Sequence, residues 1–197
     1  MAGDMTLEGS SVRLVPMTLE HVPTLARVGA DPELWAWTTA IIRDEADARA
    51  YVETALSWRA AGTAIPFVTT VAATGEVIGS TRFANLDAPS RRVEIGWTWI
   101  ARPWQRTAVN TEAKLLMLRH AFEAMGMLRV ELKTDAMNWK SRNAIVRIGG
   151  VEEGTLRSHT FRWNGERRDT VYFSILADEW PTARERLEAR LAGMPAG

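Results

Sequence analysis

The chain has 197 residues, of which 46% are hydrophobic and 24% charged, with a formal net charge of zero and no cysteine. Balanced charge without a basic run argues against a nucleic-acid partner held by phosphate neutralisation, and the lack of cysteine removes disulfides, thiolate metal sites and a cysteinyl nucleophile. No apolar stretch is long enough for a bilayer, and "MAGDMTLEGSS" lacks the charged-then-apolar order of a signal peptide, so a cytoplasmic protein with no membrane partner is expected.

In chain order, "SVRLVPMT" alternates as a first strand, and Thr18 suits the N-cap of "LEHVPTLARVGA". "DPELWAWTTA" reads as a loop or short irregular helix carrying Trp35 and Trp37. "RDEADARAYVETALSWRAAG" is an amphipathic helix, acidic in its first turn and stopped by Gly62. "AIPFVTTVA" and "EVIGSTRFAN" are strands joined at "ATGE", and "RRVEIGWTWI" is the next strand. The helix "NTEAKLLMLRHAFEAMG" ends at Gly126, "LRVELKTD" is again a strand, and "NWKSRNAIVRIGG" is a helix closed by Gly149 and Gly150. "VEEGTLRSHTFRW" and "ERRDTVYFSIL" flank the hairpin signal "NG", and "DEWPTARERLEARLAG" is a short charged helix. With no repeat or linker, one domain over residues 1–197 is expected, its core about 10–180 and its last helix about 178–192. The "WTWI"–helix–"LRVELKTD" unit is a crossover and needs parallel strands, whereas hairpin-joined strands are antiparallel. The class is α+β, a mixed and mostly antiparallel sheet with helices on both faces.

The joint "RPWQRTAVNTEA" leads from an aromatic strand into a helix. The first N–H groups of a helix lack intrahelical partners and carry partial positive charge, so a phosphate fits there. The stretch also reads as an ordinary capping box, with Asn110 or Thr111 as cap and Glu112 and Lys114 as solvated charges. The residues alone leave both readings open.

Four stretches together, "VRLVPMTLEHVPTLARV", "EIGWTWIARPWQRTAVNTEA", "NWKSRNAIVRIGG" and "EEGTLRSHTFRWNGERRDTVYFSIL", resemble the GNAT superfamily of acyl-CoA-dependent N-acetyltransferases, in the branch that includes ribosomal-protein-alanine N-acetyltransferases. The resemblance runs from about Val12 to about Trp180. It implies an enzyme that moves an acetyl group from acetyl-CoA to a primary amine (a protein N-terminus, an amino acid or another small amine) by direct transfer in a ternary complex. It also implies that Gln105, Arg106, Thr107, Ala108, Val109, Asn110 and Thr111 wrap the CoA pyrophosphate. Ala108 stands at the family's glycine position and Asn110 at its last small position, glycine or alanine, so both depart from the usual pattern. Asn138 would pair with the pantetheine amides, and backbone N–H groups near Trp97, Thr98 and Trp99 would receive the oxyanion. Many relatives protonate the thiolate with a Tyr on the helix after that Asn. Here the only tyrosines are Tyr51 and Tyr172, and Ser141 is the hydroxyl in the matching segment. Many relatives dimerise, so a homodimer is compatible with the resemblance.

For the base, strand alternation puts Val93, Ile95, Trp97 and Trp99 on one face and Glu94, Gly96 and Thr98 on the other. A carboxylate at Glu94 among apolar residues suits a base; a salt bridge to Arg91, Arg92 or a neighbouring strand is the competing reading, and Glu131 is a second candidate. His21, His120 and His159 are dispersed and indicate no metal; His159 alone, on the hairpin, could reach an acceptor. The segment with Trp35 and Trp37 borders the acceptor site in this superfamily, where aromatics suit an amine by burial and cation–π contact. Ala108, Asn110 and the missing Tyr suit a rival reading, a catalytically weak acyl-CoA-binding or regulatory protein, and the aromatic-rich surface suits another, an interaction domain without a CoA site.

Overall fold

The computed structural model describes residues 5–194; residues 1–4, part of the reading of the amino terminus, and 195–197 lie outside it. The strands are β1 (Leu7–Glu8), β2 (Val12–Pro16), β3 (Ile65–Val71), β4 (Val77–Asp87), β5 (Arg92–Ile100), β6 (Arg129–Asp135), β7 (Val151–Phe161) and β8 (Arg167–Leu176). The helices are α1 (Val22–Gly29), α2 (Glu45–Ala60), α3 (Ala108–Arg119), α4 (Trp139–Arg147) and α5 (Trp180–Ala192). They build an eight-stranded sheet in the order β1-β2-β3-β4-β5-β6-β8-β7. Only β5 and β6 run parallel, bridged by α3 as the crossover requires. The mixed, mostly antiparallel sheet read from the sequence is borne out.

Local chemistry sets the element ends. Asp44 caps α2 by accepting from the Asp47 N–H, and Gly62 leaves the helix at φ +72°. Gly165 turns the β7–β8 hairpin at φ +84°. α3 does not stop at its last α-turn; it widens into a π-turn over His120–Ala124 before Gly126 ends it.

Each face of the sheet has its own core. One packs Val93, Ile95, Ile100, Val130, Leu132, Val171 and Phe173 against α3, α4 and α5 through Met117, Leu118, Ile145 and Leu187. The other packs Met17, Val68 and Trp99 against α1 and α2 through Leu25, Trp35, Tyr51 and Val52. Glu112 ties the first strands to α3: its carboxylate, 8% exposed, accepts from the Ser10, Ser11 and Val12 N–H groups at 2.8, 2.7 and 3.1 Å and from the Ser10 hydroxyl at 2.8 Å. A Cβ on Gly9 would meet this carboxylate at 2.5 Å, so glycine is needed for the approach. The expectation that Glu112 and Lys114 are solvated is corrected: both are buried, with partners far away in sequence. Among the described residues no helix is long and apolar enough to cross a membrane.

Candidate active site

β5 and β6 are paired only at Arg92–Arg129, Val93–Val130 and Glu94–Glu131. Beyond that point they part, and a groove opens. On its other edge β5 also departs from regular pairing. Ser80 faces Trp99 and Arg82 faces Gly96, so Trp97 and Thr98 together stand opposite Thr81. Trp97 takes the left-handed φ of +50° that this bulge requires.

The extra residue resets the alternation, which corrects the expectation that Val93, Ile95, Trp97 and Trp99 share a face. Val93 and Ile95 lie in the α3 core, but Trp97 and Trp99 pack on the α1–α2 side. There the Trp99 ring meets Trp35 at 5.2 Å, and Trp97 meets Trp58 edge-on at 5.0 Å. The Trp97 carbonyl accepts from the Tyr51 hydroxyl at 3.2 Å. Arg82, fully buried, lies 4.8–5.3 Å from the Tyr51, Trp58 and Trp97 rings, and its Nε and Nη2 make no hydrogen bond. The ring faces take the place of an anion for this guanidinium. Thr98 falls on the α3 side, exposed to the groove, its Oγ1 2.7 Å from the Thr81 hydroxyl. The same Oγ1 accepts from Lys114 Nζ at 2.7 Å. Burial brings the Lys114 ammonium down from 10.5 to about 7.

The joint after β5 is a short 3₁₀ turn, Arg102–Trp104, and then the start of α3. α3 begins at Ala108 and its cap is Thr107, not Asn110 or Thr111. The Thr107 hydroxyl donates to the Trp104 carbonyl at 2.8 Å and accepts from the Val109 N–H at 3.4 Å. A hydroxyl residue one step before the first helical residue is the local signal for this cap, and counting back from the acidic Glu112 overlooked it. The left-handed residue of the loop is Arg106, at φ +66°; Ala108 and Asn110 have ordinary negative φ, so neither needs glycine for its backbone. Asn110 Oδ1 is buried without a hydrogen-bond donor. Gln105 donates to the Ile100 carbonyl at 2.8 Å and accepts from Lys140 on α4. A cavity of about 390 Å³ opens here, lined by Glu33, Leu34, Arg102, Gln105, Arg106 and Lys140. Three cations therefore gather at this loop, of which Arg102 is paired with Glu33 at 3.0 Å and Asp31 at 3.7 Å. Lys140 and Arg102 were not foreseen, because residue order does not show that the α4 start closes on this loop.

At α4, Asn138 is the N-cap and its Oδ1 accepts from the Ser141 N–H at 3.0 Å. Its amide nitrogen, a double donor, is not spent by the cap. α4 carries no tyrosine. Tyr172 instead stands across β8, its hydroxyl 3.4 Å from His159 Nε2 and its ring 4.6 Å from the Lys133 ammonium.

On the α1–α2 side of the groove, Glu94 Oε2 accepts from Asn85 at 2.7 Å and from Lys133 at 2.8 Å. Its partner is thus on the neighbouring strand β6, not Arg91 or Arg92. Glu131 lies among Arg129, Arg92 and Lys133 at 3.0, 3.3 and 3.8 Å. Trp35, expected at an acceptor surface, is corrected to a core residue: it is 1% exposed and its Nε1 donates to the Gly29 carbonyl at 2.7 Å. Trp37 is only half-buried, with the Arg162 guanidinium 4.5 Å over its ring. The β7–β8 turn closes on this segment: Trp163 donates from Nε1 to the Trp35 carbonyl at 2.9 Å and from its backbone N–H to Thr38 at 3.2 Å. Arg162 completes the clasp with bonds to Asp135 at 2.8 and 3.3 Å. His159 is exposed on the hairpin.

A parallel pair splays beside a left-handed bulge, and a cationic loop follows it; the family match identifies this arrangement as that of an acetyltransferase. The acetyltransferase (GNAT) domain family matches residues 11–151, and the chain belongs to it; it is an N-acetyltransferase. In Bacillus subtilis (strain 168), the protein named "Putative ribosomal N-acetyltransferase YdaF" is 37% identical over 106 residues, 54% of this chain and 57% of that protein, so the match spans a little over half of the relative. A GCN5-related N-acetyltransferase from Brucella melitensis superposes with a TM-score of 0.88 at 27% identity, over 96% of this chain and 86% of that one. Mycobacterium smegmatis RimJ, solved in complex with CoA-disulfide, shares the fold with a TM-score of 0.80 at 24% identity, over 95% and 93% of the two chains. The superfamily resemblance drawn from the residues is borne out.

Proposed function

We propose that this chain transfers an acetyl group from acetyl-CoA to a primary amine, a protein N-terminus, an amino acid or another small amine, directly in a ternary complex. The observation that carries the reading is the parting of β5 from β6 at the Trp97 bulge, in line with the helix start at Thr107. Along the parted edge, a backbone N–H at the Trp97–Thr98 bulge is placed to receive the carbonyl oxygen as it becomes an oxyanion. The first-turn N–H groups of α3, with Arg106 and Lys140, suit the pyrophosphate, a dianion. The Asn110 Oδ1 left without a donor and the unspent amide of Asn138 suit the alternating amides of the pantetheine arm. Mycobacterium smegmatis RimJ, which shares the fold, was solved in complex with CoA-disulfide, in keeping with a ligand of this class.

The amine approaches from the other side, between Trp37 and the clasped hairpin with His159. Glu94, fixed by Asn85 and Lys133, takes the proton shed by the amine through water. Calorimetric titration with acetyl-CoA, followed by thiol release over a panel of amino acids, peptides and small amines, tests the reading. Saturable binding together with turnover on one acceptor class is the expected result. Binding without turnover would favour the acyl-CoA-binding module, and no binding would sink the proposal.

A further inference from the structure

α3 turns one cation inward, toward the groove. Lys114 is 7% exposed, and the hydrogen bond its Nζ makes is to Thr98 Oγ1 at 2.7 Å. The charged groups on the surrounding elements are engaged elsewhere. Glu112 on α3 holds Ser10–Val12, Arg119 on α3 pairs with Glu188 on α5, and Arg13 on β2 pairs with Glu8. Arg82 on β4 sits among the α2-side rings, and Glu94 on β5 pairs with Lys133 on that same side. Lys114 therefore has no carboxylate among the described residues, although burying an ammonium costs several kcal/mol unless charge or hydrogen bonds offset it. Packing alone would favour an aliphatic side chain here.

What the cost secures is a line of donors leading to the groove. Lys114 Nζ donates to Thr98 Oγ1, and Thr98 stands exposed on the part of β5 that β6 has left. Behind it the Thr81 hydroxyl, 2.7 Å from Thr98 Oγ1 and 3.6 Å from Met117 Sδ, closes the line toward the core. With the thioester carbonyl on a backbone N–H of the Trp97–Thr98 bulge, the sulfur bonded to the same carbon comes alongside Thr98.

We infer that Lys114 is a positioning residue for acetyl transfer, whose ammonium acts through the Thr98 hydroxyl to supply the proton taken up by the departing CoA sulfur. The inference rests on the acetyl-CoA reading above. As the new N–C bond forms and the C–S bond breaks, the bonding pair goes to sulfur. Thr98 gives its hydroxyl proton to that sulfur and recovers one from Lys114 Nζ. The proton shed by the attacking amine passes through water to Glu94 and on to solvent, and solvent at the exposed Thr98 recharges Lys114. The ammonium behind Thr98 offsets the negative charge that gathers on the departing sulfur, and the hydroxyl between them carries the proton. Ser141, the hydroxyl matched by residue order, has no such cation bonded behind it; its Oγ makes no hydrogen bond among the described residues.

The test titrates free CoA bound to the whole protein, reading thiolate formation by ultraviolet absorbance, with binding measured separately by calorimetry. In the wild type the bound thiol should ionise about one pH unit or more below ~8.5, because a cation one hydroxyl away favours the thiolate. In Lys114→Met and Lys114→Gln it should return to the ordinary value or above, with CoA still bound. An unshifted thiol in the wild type, or the same lowering in both variants, overturns the role of Lys114 and leaves the acetyl-CoA reading standing. Failure of the wild type to bind CoA overturns both.

Discussion

Lys114→Met should make this protein more stable at neutral pH, and the size of the gain should depend on pH in a definite way. In the folded chain burial brings Lys114 from 10.5 down to about 7, with no charged partner to offset it. The unfolded chain therefore binds more protons than the folded chain between about pH 7 and 10.5. Stability then rises with pH across that window. Below pH 7 the penalty of the buried charge is fully present, and above 10.5 it has vanished. At 1.4 kcal/mol per pH unit the full swing is about 5 kcal/mol. Methionine fills a similar volume, has no charge to bury, and forfeits only the bond to Thr98, a loss of about 1 kcal/mol. Urea unfolding of both proteins, followed by tryptophan fluorescence from pH 6.5 to 10, isolates the contribution as a difference. The variant should be the more stable by several kcal/mol near pH 7, and the gap should close toward pH 10. A gap that stays flat with pH would refute the claim that Lys114 is held in a dry site without a partner.

Three other outcomes follow from the geometry. Glu112→Ala leaves the N–H groups of Ser10, Ser11 and Val12 without their acceptor and should cost roughly 3–5 kcal/mol, read as a fall of about 10 °C in Tm; a fall of only a degree or two would mean that water replaces the carboxylate. Arg106→Gly relieves a left-handed φ of +66° while adding freedom to the unfolded chain, so Tm should stay within a few degrees while acetyl-CoA affinity falls several-fold. Unchanged affinity by calorimetry would move the phosphates away from this loop. Trp163→Ala removes the hairpin's side-chain bond to the Trp35 carbonyl and should speed amide hydrogen exchange at residues 36–40, leaving α3 unaffected; equal protection there would show that Arg162 and Asp135 hold the clasp by themselves.

What the sequence made legible was set by short-range chemistry. The period of α2, its stop at Gly62, the "NG" hairpin and the crossover between β5 and β6 each depend on residues within a few positions of one another. What it hid depends on partners far along the chain. Glu112 and Lys114 look like the solvated flank of a helix until Ser10, some hundred positions away, and Thr98 close around them. Lys140 joins Arg106 only because α4 folds onto the joint after β5. The bulge is the harder case. "RVEIGWTWI" alternates without a flaw, and nothing inside it calls for an extra residue. The demand comes from β4, where a Cβ on Gly79 would lie 2.1 Å from the Trp99 carbonyl, so the two strands meet more closely than side chains permit. A glycine in the neighbouring strand was the available signal, and it says that the backbones approach without saying where the register slips.

That one slip settles which chemistry stands on which side of the groove. Under unbroken alternation Trp97 and Trp99 would follow Val93 and Ile95 onto the α3 face, and two indoles would occupy the space where β5 and β6 part. Thr98 would point to the opposite face, and Lys114 would be buried with no hydroxyl to meet. With Trp97 left-handed, the indoles turn toward Trp35 and Trp58, and the Trp97 ring joins Tyr51 and Trp58 around Arg82. Thr98 turns toward α3, where it takes the bond from Lys114 and faces the open edge. β6 has no paired residue opposite this stretch. An aromatic cage for Arg82 and a hydroxyl backed by a cation are thus two consequences of one inserted residue. Their common dependence explains why a left-handed tryptophan, costly by itself, is sustained at this position.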